Sequence, residues 1–174
     1  MKKRSIVTIT LFMSILILLG TAQGYYSVST IDKIRPQNND LPSNFMYGKI
    51  PPFARKVLKA NPWLLDRKAI KKLAGRIYPG GNHYVIKNIH MTIMTNKKNP
   101  YGDDIVCYII VFHNSKAGRA EISKLKNFVG YNRDRAMAVI KKNMAVYIHA
   151  DNVDDYPHIQ RIAENIKDRL KKNQ

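Results

Sequence analysis

Two spacings of apolar residues divide the chain into helices and strands. Ala69, Ile70, Leu73 and Ile77 recur every third or fourth position, with Arg67, Lys68, Lys71, Lys72 and Arg76 between them. That pattern predicts an amphipathic helix over 66–77. A shorter helix is expected over 52–60, with Pro52 in its first turn and Phe53, Val57 and Leu58 on one face, ended by Asn61-Pro62. A third helix starts from a Ser115 cap, carries Ile122, Leu125 and Val129 inward and ends at Gly130. The last begins at Pro157 and is striped by Ile159, Ile162, Ala163, Ile166 and Leu170.

Four stretches read as strands: A over 84–95, B over 104–113, C over 136–141 and D over 144–150. Strand B contains an unbroken apolar run from Ile105 to Phe112, which suits a central strand. Lys142-Asn143 joins C to D as a hairpin. The order B, helix, C, D, helix matches most of a βαββα pattern. The expected fold is α+β: a two-layer sandwich with a four-stranded, mainly antiparallel sheet. Its order is A-B-D-C, a permuted ferredoxin-like arrangement with two helices on one face, preceded by two short basic helices. Strands B and D are expected to run parallel. Residues 49–174 form this single domain, and the turn-rich residues 25–48, with Pro36 and Pro42, read as a flexible linker.

The N-terminus changes how the rest is read. Met1-Lys2-Lys3-Arg4 precedes an apolar run from Ser5 to Leu19, and small residues follow at Gly20, Ala22 and Gly24. This is the layout of a secretory signal peptide over 1–24, cut before Tyr25, with a membrane anchor through residues 5–24 as the alternative. The expectation is an exported protein, periplasmic or secreted.

Charge then acquires a different meaning. The 174 residues hold 30 Lys+Arg against 12 Asp+Glu, a net charge of +18. In the cytosol such a basic protein would suggest nucleic acid. Outside it, an envelope protein or an anionic membrane or polymer surface is the expected partner, and nucleic acid is not. The excess is concentrated. Residues 49–76 hold nine basic residues against one acid, and residues 116–142 hold eight against two. Lys56, Lys59, Arg67, Lys68, Lys71, Lys72 and Arg76, with Phe53 and Trp63 nearby, form a candidate surface for docking on anions. The plainer alternative is a solvated helix face.

Catalytic motifs are not found: there is no GxSxG, HExxH, P-loop or GxGxxG. Gly80-Gly81 leads into a strand and reads as a turn. The single cysteine, Cys107, excludes an intramolecular disulfide and any multi-cysteine zinc site, and its place in an apolar strand predicts an inert packed thiol. Asp151-Asn-Val-Asp-Asp155 lacks the glycine and distal glutamate of a calcium loop and suits a helix start. The histidines offer the remaining possibility. With B and D parallel, His83, His113, His149 and His158 would gather at one rim of the sheet beside Asp151, a set suited to zinc, copper or nickel.

Together these features predict an exported, non-enzymatic binding or adaptor module of the cell envelope, presenting its open sheet face or basic helices to a partner. The alternatives are a metal- or small-ligand-handling protein using the histidine rim, and a cationic protein docking on anionic surfaces.

Overall fold

The computed structural model describes residues 28–56 and 58–172. The expected signal segment lies outside them. The fold is α+β, with four α-helices among the described residues: α1 (Val28–Ile34), α2 (Arg67–Ile77), α3 (Ser115–Tyr131) and α4 (Tyr156–Lys172). Six strands form one antiparallel sheet: β1 (Phe45–Tyr47), β2 (Trp63–Leu64), β3 (Ile86–Asn96), β4 (Ile105–Phe112), β5 (Ala136–Lys141) and β6 (Met144–Ala150). The order is β1-β3-β4-β6-β5, with β2 also on β3.

The expected order A-B-D-C recurs as β3-β4-β6-β5, but two features of that expectation change. Strands β4 and β6 are antiparallel, with Ile105 opposite Ala150 and Val111 opposite Met144. The cause is the connection. Helix α3 returns the chain so that β5 runs in the same direction as β4, and the tight hairpin then inserts β6 between them, opposed to both. Six strands replace four because β1 and β2 extend the outer side of β3. The gap between those two short strands is closed by Asn61, whose amide donates to the Gly48 and Ile93 carbonyls while its oxygen accepts from the Ile93 N–H.

Helices also cover both faces, where one was expected. The apolar run of β4 is shared between two cores by simple alternation. Ile105, Cys107, Ile109 and Val111 pack with α1 and α4, through Ile31, Ile34, Ile159 and Ile166. Val106, Ile110 and Phe112 pack with α2 and α3, through Ile70, Ile77, Ile122 and Leu125. The ferredoxin-like arrangement with its helices on one face is therefore not built, and the sheet presents no open face between them.

Residues 28–48 are packed where a linker was expected. Ile31 and Ile34 are fully buried, and Phe45 enters the sheet. Asp40 is buried and accepts from Asn165 and Arg169 of α4. The helix expected over 52–60 is reduced to one 3-10 turn, Pro52–Ala54, with Phe53 left 86% exposed. Without a buried face a segment of that length has nothing to sustain an α-helix. Asp66 caps α2 by accepting from the Ala69 N–H. Asn114, not Ser115, caps α3 by accepting from the Ala117 N–H.

Candidate functional site

A cleft of about 250 Å3 opens between the sheet and the ends of α2 and α3. Its floor is set by strand pairing. Tyr108 of β4 lies directly opposite Tyr147 of β6, and His149 follows on the same face two residues later. Side chains on one face of an antiparallel pair meet in this way. The three rings stand nearly parallel. Tyr108 and Tyr147 are 6.1 Å apart at 10°, Tyr147 and His149 are 5.5 Å apart at 25°, and Tyr108 and His149 are 6.2 Å apart at 17°. Phe128 of α3 leans on Tyr147 from the side.

The rim is charged. Arg76, in the last turn of α2, and Arg135, just before β5, both line the cleft, with Asn132 and Asp151. Arg135 also pairs with Asp134 at 3.2 Å. No hydrogen bond from a described residue reaches the Tyr108 or Tyr147 hydroxyl or the His149 imidazole. The three rings line the open cleft and so have hydrogen-bonding capacity for an occupant.

Burial keeps these rings neutral. It pushes the Tyr108 phenol up to about 12, reinforced by Asp103, and raises the Tyr147 phenol further. It lowers the His149 imidazole, against the pull of Asp151 and Asp103. The Asp151 carboxyl is raised, first by burial and then by Asp103, while His149 and Arg135 oppose the shift. The floor therefore offers uncharged hydrogen-bonding groups, the guanidinium groups supply fixed positive charge, and Asp151 supplies an acceptor at the β6 end.

The structure redistributes the sequence-predicted residues. Arg76, from the basic set, joins His149 and Asp151, from the histidine set. His113 and His83 lie at the opposite end of β4, where the His113 N–H bonds Val85 and the His83 carbonyl accepts from Arg67. His158 is on the other face of the sheet, edge-on to Phe45 at 5.6 Å. The expected rim is thus divided between two ends, because β4 and β6 are antiparallel, and between two faces, because α4 packs on the side away from the cleft. Among the described residues no group of three or more His, Cys, Asp or Glu side chains is placed to hold a metal ion.

Of the basic set, Lys56, Lys59, Lys68, Lys71 and Lys72 are exposed. Arg67 turns back, donating to the Ile86 and His83 carbonyls, and so fastens α2 to β3. A broader hollow of about 530 Å3 is lined by Lys49, Arg55, Lys59 and Tyr101. Its Asn61 amide already bonds the backbone. Cys107 is buried on the α1/α4 face, and burial raises its thiol well above the ordinary value, so it stays protonated. Asp154 and Asn152 belong to a turn in which the Asn152 oxygen accepts from the Asp154 N–H.

Sequence reasoning missed Tyr108, Tyr147, Phe128 and Arg135. A signal was present: Tyr147 and His149 are the polar-tipped residues of strand D and share its period of two. Their convergence with Tyr108 required the antiparallel register. Among the described residues, no helix is long and apolar enough to cross a membrane. No family model matches the chain, no curated protein is detectably similar to it, and no solved structure matches it.

Proposed function

We propose that the protein is an exported, non-enzymatic binding module of the cell envelope, and that its ligand seat is the cleft over Tyr108, Tyr147 and His149. The ligand is a small polar molecule with an anionic oxygen group, a carboxylate, phosphate or sulfate. One observation carries this reading: two guanidinium groups, Arg76 and Arg135, border a concavity whose two phenols and imidazole have no described protein partner. The anion meets the guanidinium groups by charge-assisted hydrogen bonds, and the phenols donate to it. A hydroxyl or amino group on the same molecule meets Asp151. The volume lies below the roughly 300–1,000 Å3 of drug-sized pockets, which suits such a ligand.

Calorimetric titration with inorganic phosphate and with glycerol phosphate tests the reading. Both are expected to bind, the ester more tightly, and Arg76→Gln and Arg135→Gln are each expected to weaken binding about tenfold. Absence of saturable binding by either probe, or binding indifferent to both substitutions, would contradict it.

A second reading has its own support. Lys68, Lys72 and Arg76 succeed one another at four-residue intervals on α2, are exposed, and have no ion pair with a described carboxylate. Such a stripe suits an anionic membrane surface. Co-sedimentation with anionic vesicles that is lost at high salt would favour it, and equal partitioning to neutral vesicles would count against it.

A further inference from the structure

Among the described residues, strand β5 ends the sheet and pairs only with β6. The hydrogen bond from the Ala150 N–H to the Arg135 carbonyl fixes which of its residues face inward. Bonded pairs alternate along an antiparallel ladder, so Met137, Val139 and Lys141 bond β6. The N–H and C=O groups of Ala136, Ala138 and Ile140 therefore point away from the sheet. Beside this edge lies a groove of about 480 Å3 between β5 and α4, with Met137, Val139 and Leu170 contributing its apolar wall and Lys141 and Lys167 bordering it.

We infer that this edge and groove accept an extended, acidic segment of a partner protein by strand addition. Main-chain bonds to Ala136, Ala138 and Ile140 would supply affinity, and alternate apolar side chains would enter the groove. Charge selects the occupant. Lys141 and Lys142 stand at one end of β5 and Lys167 along the side, against Glu164. A second copy fits poorly. Antiparallel self-pairing centred on Ala138 would set Arg135 against Lys141 of the other chain, and basic residues of this kind are how edge strands avoid self-association. The inference is independent of the cleft, which lies on the other face of the sheet.

The test uses the full chain and a fluorescent nine-residue peptide of alternating valine and threonine between two pairs of aspartates. A peptide with lysines in place of the aspartates is the control. The acidic peptide should bind saturably and about tenfold or more tightly than the basic one. Ala138→Pro removes one outward N–H and leaves the ladder to β6, a position where edge strands tolerate proline. It should weaken binding about tenfold. The Lys141→Glu/Lys167→Glu variant, which leaves the backbone untouched, should reverse the preference between the two peptides. No saturable binding, equal affinity for both peptides, or a preference unchanged in the double variant would overturn the inference. So would a concentration-dependent dimer that Ala138→Pro dissociates, since the edge would then hold a second copy.

Discussion

Arg169 of α4 grips Asp40 with two hydrogen bonds, Nη1 to Oδ1 at 3.0 Å and Nη2 to Oδ2 at 2.7 Å, across 129 residues of sequence. Asn165 and the Gln37 N–H complete the carboxylate's partners. Asp40 is almost wholly buried, so removing it takes the carboxylate from a partly buried guanidinium, which keeps the neutral carbonyls of Ile34 and Arg35, and from the Asn165 amide. Asp40→Ala should cost about 3–5 kcal/mol in denaturant unfolding. Pairing Asp40→Leu with Arg169→Met should cost less than the two single changes added together. Additive effects would mean that the pair does not tie residues 28–48 to α4.

Glu121 plays the corresponding part on the other face. It accepts from the Tyr78 hydroxyl at 2.7 Å, the Asn82 N–H at 2.9 Å and the Lys124 ammonium at 2.6 Å. Burial works to raise its carboxyl, but these three donors outweigh it and hold the group below the ordinary carboxylate value. Tyr78→Phe should cost about 1.5–3 kcal/mol, the range for a hydrogen bond to a charged group. Glu121→Ala should cost more, because it leaves the buried phenol unpaired. Equal unfolding midpoints for Tyr78→Phe and the parent would remove this anchor from the account.

Stability should depend on two histidines. Burial lowers both His149 and His90 below the ordinary 6.5, although nearby aspartates pull each back. Between the lowered native value and 6.5 the unfolded chain binds more protons than the native one. Stability therefore rises with pH through that window and is lost as pH falls through it. His149→Gln and His90→Gln should each flatten the curve there, as read from urea midpoints at a series of pH values. An unchanged slope in both variants would contradict the buried, neutral state of these rings.

Much of the fold was legible from local pattern. Helices α2, α3 and α4 follow directly from apolar spacing, because each buries one continuous face, and strands C and D follow from short apolar runs on either side of a two-residue turn. What was not legible depended on distant partners. Ile31 and Ile34 make too short a stripe to predict α1, and only burial against α4 sustains it. Strand β4 buries both faces, so its sequence could not tell one helical layer from two. The direction of β6 followed from its insertion between β4 and β5, which no local signal encodes. That direction is what separates His113 from His149 and gathers Tyr108, Tyr147 and His149 in their place.

The most direct test of the cleft is the titration of the His149 imidazole by NMR, with and without inorganic phosphate. An anion held by Arg76 and Arg135 beside the ring favours the imidazolium, so the depressed pKa should rise on adding phosphate. The rise should vanish in an Arg76→Gln/Arg135→Gln variant. A His149 titration that is the same with and without phosphate would contradict the cleft as an anion seat.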